Sequence, residues 1–322
     1  MIEVMLLRHG KAKKSSDGHD FDRPLKERGK RGAQRTGAWL AQTGNLPARV
    51  ICSPARRARE SAEKCVKAMG ATVERIENDD RLYCASASNL FDRLIEAASQ
   101  TSPVMLVGHN PGLEQLAQQL LPESVCNQYE KLMPAGTLLR LALPETQAFP
   151  LDGGAALLER ITPDELPDGF PWPAPNGRER RDRPAYYYTQ SAAIPYRIQS
   201  GEVEVLLITS SSGRYWVLPK GIVEPGLSPQ ASAAKEAREE AGIEGNVQEQ
   251  ALGQYRQAKW GAHCDIQVYP MRVTRELPDK EWEETHRERR WLPLKQACSF
   301  LKNPDLAEIA RILPEHLQGA NP

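Results

Sequence analysis

A chain of 322 residues is long for one typical domain and suits two, each large enough to bury its own core. Its 42 Lys and Arg are balanced by 42 Asp and Glu, which argues against a general nucleic-acid or membrane-surface binder, since either carries a basic excess. The six cysteines (Cys52, Cys65, Cys84, Cys126, Cys264, Cys298) have no C-x-x-C spacing, so neither a zinc site nor a disulfide framework is indicated. "MIEVMLLRHG" lacks the pattern of a signal peptide and no segment approaches a membrane span, so the cytoplasm is the expected compartment.

In chain order, "EVMLL" predicts a first strand, followed by a helix around Arg31 to Thr43, a strand at "RVICS", a helix from Ala58, a strand at "VMLVG" and a helix from Gly112. Strands separated by helical patterns of this length imply parallel βαβ units, and we expect an α/β domain with a mostly parallel sheet over residues 1–150. Residues 151–184 include "PDELPDGFPWPAPNGRERRDRP", too dense in Pro, Gly and charge for a long helix or a central strand, and read as a linker over a surface. A β-rich second domain is expected over 185–322, with strands at "PAYYYTQSAAIPYRI", "EVEVLLITS", "YWVLPKG" and "DIQVYPMRV" and a helical region after Trp291. Its one strongly marked helix runs from Pro229 to Ala241, with Ser228 as N-cap, proline at the first helical position and Gly242 where the helix ends.

Three strand ends of the first domain carry chemistry. Arg8 and His9 close the first strand, Arg56 and Arg57 follow the second, and His109 follows "VMLVG". The C-terminal edge of a parallel sheet is where such folds bind ligands. A neutral imidazole can attack phosphorus while arginines and a second, protonated histidine hold the phosphoryl oxygens. One such histidine alone is more often a satisfied loop residue; two, together with arginines at strand ends, form a constellation.

These residues resemble the histidine phosphatase superfamily, and within it the small bacterial phosphohistidine phosphatases. The likeness rests on Arg8-His9-Gly10, "DRPLKERGKRGA" from Asp22, Ser53-Pro54-x-x-Arg57-Ala58 and Gly108-His109-Asn110. It implies a three-layer, phosphoglycerate-mutase-like domain in which His9 is the phosphorylated nucleophile and Arg8, Arg57 and His109 cradle the phosphoryl oxygens. Larger members use a glutamate to protonate an alcohol leaving group; this chain has Arg81 near that position, after Asp79 and Asp80. A missing general acid suits a leaving group that needs little help, such as a protonated phosphoramidate nitrogen.

In the second domain Glu236, Glu239 and Glu240 fall at i, i+3 and i+4 of the predicted helix, on one face. Three like charges there are costly without a cation, and their oxygens suit Mg2+ or Mn2+ bridging to substrate phosphates. By itself such a run is usually a solvated face, here salted by Lys235 and Arg238. The preceding turn shifts the balance: "KGIVEPGLSPQASAAKEAREEAGI" resembles the Nudix box, with Gly221, Glu236, Glu239, Glu240, Gly242 and Ile243 in register. Leu227 replaces the pattern's first glutamate and Lys235 its arginine, and we read the two as a linked change in the scaffold of the motif, so that Leu227→Glu alone should not raise activity. The resemblance implies an α+β Nudix fold and hydrolysis of a diphosphate linked to another moiety by metal-activated water. It assigns Glu236, Glu239, Glu240 and the backbone of Gly221 to the metal, with Glu239 also the catalytic residue.

The segments "LLITSSSGRYWVLPKG" and "KEWEETHRERRWLPLKQACSFL" are similar to parts of diphosphoinositol polyphosphate and diadenosine polyphosphate hydrolases. That likeness makes Arg197, Ser211, Arg214 and Lys220 candidates for binding a densely anionic substrate. Tyr215, Trp216 and Trp260 could stack a base, although alternating aromatics on short strands are more often core. Glu283 or Glu288 could supply an additional base or ligand.

The expected whole is a bifunctional phosphohydrolase acting on a small phosphorylated substrate, a nucleotide or an inositol polyphosphate, with neither nucleic acid nor membrane as partner. One alternative is a signalling phosphatase that dephosphorylates a phosphohistidine carrier protein, with the Nudix-like domain as a binding or regulatory module.

Overall fold

The computed structural model describes residues 1–14, 19–144 and 153–319. The chain divides into two units, Met1–Ala185 and Tyr186–Pro322. Among the described residues no helix is long and apolar enough to cross a membrane.

The first unit is built on β1 (Ile2–Arg8), whose centre, Val4 to Leu7, is buried on both faces. An unbroken apolar run of this kind is what a central parallel strand needs, because helices cover both of its sides. Then come α1 (Glu27–Thr43), β2 (Arg49–Cys52), α2 (Arg56–Ala68), β3 (Ile76–Asn78), α3 (Ala87–Ala98), β4 (Val104–Gly108), α4 (Gly112–Leu120), the one-turn α5 (Glu123–Cys126), β5 (Leu138–Leu143) and β6 (Ala156–Ile161). The sheet order is β3-β2-β4-β1-β5-β6. The first four strands pair in parallel, whereas β5 pairs antiparallel with both β1 and β6, so the ends of β1, β2 and β4 share one edge. One core cluster lies on the α3–α4 side of the sheet and another on the α1–α2 side, giving three layers.

The Pro-rich stretch departs from the expected linker. Part of it is β6, which extends the sheet beside β5, with Glu159 on Arg140 at 2.9 Å. Beyond it a short hairpin forms from β7 (Phe170–Trp172) and β8 (Glu179–Arg181). Arginines of α1 fasten the segment: Arg28 pairs with Asp164 at 2.7 Å, Arg31 donates to the Asp182 carbonyl at 2.6 Å, and Arg35 pairs with Asp168. These partners lie more than a hundred residues apart in sequence, which is why a local reading of composition sees only a linker.

The second unit centres on β9 (Thr189–Gln199), flanked by β10 (Glu202–Thr209) and β15 (Ala262–Glu276). Smaller strands complete the sheet: β11 (Trp216–Val217) and β16 (Arg289–Pro293) pair with β10, β12 (Lys220–Ile222) with β9, and β13 (Ile243–Val247) and β14 (Gly253–Lys259) with β15. Among the described residues the only parallel pairing in this sheet is that of β9 with β15. The glutamate helix α6 (Pro229–Ala241) starts with the Ser228 hydroxyl accepting from the Ala231 amide at 3.1 Å and stops at Gly242, whose φ of 61° is left-handed. Its buried face is Ala233, Ala237 and Ala241, small enough for the helix to settle against Ala193, Leu206, Ile208 and Met271 of the sheet. Helices α7 (Leu294–Phe300), α8 (Pro304–Arg311) and α9 (Leu313–Gly319) close the unit.

Candidate active sites

At the shared edge of β1, β2 and β4 the first unit gathers Arg8, His9, Arg57 and His109. The His9 and His109 rings lie 5.1 Å apart, centre to centre. His9 Nδ1 is 2.8 Å from the Gly10 carbonyl oxygen; a carbonyl only accepts, so Nδ1 carries the proton and the lone pair is on Nε2. That lone pair accepts from Arg57 Nε at 3.3 Å. Arg57 is buried at the start of α2, whereas Arg56 points outward and pairs with Glu60 at 2.9 Å. The position before the alanine is thus the one that faces His9.

Burial pushes the His9 imidazole down to about 4, and the nearby charges of Arg57, Arg8 and Arg23 push the same way. His109 is lowered to about 3, chiefly by burial and then by His9 and Arg57. Both rings are therefore neutral near pH 7. With arginines already present and the rings buried, a further positive charge is unfavourable in the ligand-free pocket, and the expected protonated form of His109 belongs to the pocket with phosphoryl oxygens in it. His109 Nε2 lies 2.7 Å from the Ser53 hydroxyl. Arg8 donates to the Met133 carbonyl at 2.7 Å, while Arg8 Nε and His109 Nδ1 are buried with no hydrogen-bond partner among the described residues.

Arg81 pairs with Asp79 at 2.8 Å and with Glu96 at 3.2 Å. Asp79 also accepts from buried Arg93, and these bonds, Arg81's first, hold its carboxyl far below the ordinary range. It cannot carry a proton to a leaving group near neutral pH.

In the second unit α6 lays its glutamates beside β12. A Cβ on Gly221 would come within 1.9 Å of Glu236 Oε1, so only glycine lets this carboxylate rest against the strand. Burial, with Glu240 next, raises the Glu236 carboxyl to about 7. Glu240 accepts from the Lys220 amide at 2.9 Å and from Arg287 Nη2 at 2.7 Å. Glu239 pairs with Lys235 at 2.9 Å. Among the described residues no group of three or more His, Cys, Asp or Glu converges into a ready metal cage.

The donor chemistry nonetheless fits a hard divalent cation. Glu236 is a largely buried carboxylate whose nearest charged neighbours on the helix are mostly carboxylates, an arrangement that a bound cation relieves. Glu239, the remaining carboxylate of the set, has a partly exposed lysine as its competing partner.

The expected substrate residues separate. Lys220 lies beside the carboxylates, half-buried, its ammonium bonded to Gln257 at 2.7 Å, and burial lowers its proton affinity. Ser211 and Arg214 are exposed on the turn between β10 and β11. Arg197 is held by Glu204 at 2.6 Å and lies over the Trp291 ring at 4.3 Å, which leaves it a structural part of the sheet face. Trp216 and Tyr215 lie under Arg290 and Lys302 respectively. Trp260 meets Tyr187 edge-on at 5.2 Å. Glu283 is exposed and pairs with Arg238 at 3.6 Å.

Sequence reasoning missed Arg287. It is 8% exposed and donates to the Thr209 carbonyl at 2.8 Å, to Glu240 and to Glu284, tying the segment before β16 to α6. Within "EETHRERR" it reads as one more solvated charge; only its contacts distinguish it.

Two stretches of the chain match hydrolase families: residues 4–83 match the histidine phosphatase superfamily (branch 1), and residues 188–316 match the NUDIX domain. The protein is thus a hydrolase that joins these two modules. Nudix hydrolase 17, mitochondrial, of Arabidopsis thaliana is 34% identical over 38% of this chain and 72% of its own length. Diphosphoinositol polyphosphate phosphohydrolase 3-beta of Bos taurus is 34% identical over 37% of this chain and 72% of its own. A crystal structure assigned as the phosphohistidine phosphatase SixA from Agrobacterium tumefaciens superimposes with a TM-score of 0.43 at 27% identity, covering 50% of this chain and 97% of that one. The chain belongs to the Nudix hydrolase family.

Proposed function

We propose a bifunctional phosphohydrolase. Its Nudix domain hydrolyses a diphosphate linkage in a nucleoside polyphosphate, a dinucleoside polyphosphate or an inositol pyrophosphate, and its histidine phosphatase domain removes phosphate through a phosphohistidine formed at His9. The observation that carries the reading is the fixed tautomer of His9: Nδ1 is committed to the Gly10 carbonyl, so a neutral ring presents Nε2 beside Arg57 and His109. Arg8 Nε and His109 Nδ1, buried with no partner among the described residues, support it, because such donors and acceptors are costly to bury unless a ligand meets them. Phosphoryl oxygens accept from the arginines and would hold a proton on His109.

In the second domain Glu236, Glu239, Glu240 and the Gly221 backbone would hold Mg2+ or Mn2+, which when bound neutralises polyphosphate charge and activates water. Lys220 and exposed Arg214 and Ser211 supply contacts for an anionic substrate. The bovine relative, a diphosphoinositol polyphosphate phosphohydrolase, supports the inositol pyrophosphate arm of this reading.

The departures at Leu227 and Lys235 favour a second reading, a signalling phosphohistidine phosphatase carrying a weakly active Nudix module. A substrate panel decides. Wild type, His9→Ala and Glu239→Gln are compared on dinucleoside polyphosphates, inositol pyrophosphates, a small phosphate ester and a phosphorylated histidine carrier protein, with products identified. The first reading requires Glu239→Gln to lose only magnesium-dependent anhydride hydrolysis and His9→Ala to lose only phosphate removal. Turnover of the carrier protein alone would favour the second.

A further inference from the structure

Asp20 joins the phosphate pocket from a loop that the constellation of strand ends does not include. Its Oδ2 accepts from Arg57 Nη2 at 2.7 Å, and its backbone carbonyl accepts from Arg57 Nη1 at 2.6 Å. Its Oδ1 accepts from Arg23 at 2.7 Å, and Tyr83 donates its hydroxyl to Oδ2 at 3.3 Å. The Tyr83 ring in turn meets His109 edge-on at 5.7 Å. One guanidinium therefore spans the pocket, its Nε on His9, one outer nitrogen on the Asp20 carboxylate, whose side chain is 50% exposed, and the other on the Asp20 backbone carbonyl.

We infer that Asp20 is a specificity-determining residue of this site: it favours phosphoryl donors whose leaving nitrogen is positively charged, the phosphoramidates of amines and imidazoles, over phosphate esters that release an anionic oxygen. The inference rests on the phosphatase reading of His9. In-line transfer puts the leaving group on the side of phosphorus away from the nucleophile, and Asp20 occupies the end of Arg57 away from His9. The lone pair of His9 Nε2 forms a new N–P bond as the donor's P–N bond breaks, the electron pair of that bond staying on the leaving nitrogen. A nitrogen already protonated departs as a neutral amine or imidazole, so no general acid is required, and Asp20 favours that protonated form electrostatically. Water then attacks the phosphohistidine; its oxygen bonds to phosphorus, the N–P pair returns to Nε2, and the phosphate carries away the water's protons. An ester whose oxygen leaves as an anion meets the same carboxylate as a repulsion.

The test compares kcat/KM of the full chain for phosphoramidate and for p-nitrophenyl phosphate in wild type, Asp20→Asn, Asp20→Glu and His9→Ala. Asp20→Asn is expected to lower the phosphoramidate-to-ester ratio on the order of tenfold, the effect of one partly solvated charge about 5 Å away, and Asp20→Glu to restore most of it. Equal loss on both substrates, the result of merely releasing Arg57, or an unchanged ratio overturns the inference while leaving His9 intact. Survival of both activities in His9→Ala overturns instead the reading on which it stands.

Discussion

Arg57 Nε and His9 Nε2 are 3.3 Å apart, so the guanidinium donates to the one lone pair that His9 has free for phosphorus. The same side chain grips Asp20 with both outer nitrogens. A planar fork can pass its Nε–H from His9 to a phosphoryl oxygen without leaving Asp20; an ammonium, a single point of charge, cannot serve both ends. Arg57→Lys, which keeps the charge, is therefore expected to lower kcat/KM on a small phosphate donor by about 10²-fold, the scale for losing one oriented donor to developing charge. Steady-state kinetics at saturating and limiting substrate measure it, and a loss below about threefold would mean that charge alone matters.

The neutral histidines make the ligand-free protein sensitive to acid. His9 titrates at about 4 and His109 at about 3 in the folded chain, against 6.5 when unperturbed. Below pH 6.5 the unfolded chain takes up protons that the folded pocket refuses, so the stability due to neutral His9 is complete above 6.5 and is lost as pH falls toward 4. The shift amounts to about 3 kcal/mol for His9. Urea unfolding followed from pH 7 to pH 4 should show His9→Gln losing less stability than wild type; parallel curves would mean that His9 is not held neutral.

How much of this was legible beforehand follows from the range of each signal. Arg8, His9, Arg57 and His109 each sit beside an apolar run that announces its own strand, and parallel topology brings the strand ends together, so the pocket could be read from local patterns. The helix α6 was equally plain, its cap, proline and glycine all within one short stretch. Protonation was not legible, because His109 is neutral by virtue of burial and of His9, a residue 100 positions away. Arg197 reads as a candidate contact for an anionic substrate, and its pairing with Glu204 across the hairpin shows only in the structure. Arg287 and β6 depend on partners that no neighbouring residue indicates.

Glu236 yields a prediction of opposite sign. Its folded carboxyl, raised to about 7 from 4.5, keeps a proton that the unfolded chain releases earlier. That contribution is whole below pH 4.5 and is lost as pH rises through about 7, leaving an unfavourable buried charge of about 1–3 kcal/mol at pH 8 in metal-free protein. Glu236→Gln should raise the unfolding midpoint at pH 8 without metal and remove most of the further rise produced by millimolar magnesium in wild type. Thermal melts with chelator and with magnesium separate the two effects. A variant that is destabilised in chelator and still stabilised by magnesium refutes both the buried charge and its role as ligand.

Arg287 is expected to matter more for the carboxylates than for substrate. It reaches Glu240, Glu284 and the Thr209 carbonyl from a buried position. Arg287→Met leaves the inner carboxylates short of a partner and should cost about 3–5 kcal/mol, the usual range for breaking a buried pair from one side. The double variant Arg287→Met/Glu240→Gln should recover part of that loss, since no charge is then stranded at position 240. Urea unfolding of both variants gives the coupling energy. Strict additivity would show that the pair does not act as a unit.

Lys235 bears on whether the departures from the Nudix pattern weaken its metal site. Its ammonium pairs with Glu239 at 2.9 Å, with side-chain exposures of 39% and 29%. A pair so open to water holds its partner by about 0–1 kcal/mol, too little to keep Glu239 from a divalent cation. Lys235→Met should therefore change magnesium affinity by no more than about fivefold, the factor that corresponds to 1 kcal/mol. Leu227→Glu should likewise leave turnover of a diphosphate substrate unchanged. Magnesium titration by calorimetry measures the first and steady-state rates the second. A hundredfold gain in affinity for Lys235→Met would mean that the lysine locks Glu239 away and that the departure has disabled the motif, because the free energy then involved exceeds anything an exposed ion pair supplies.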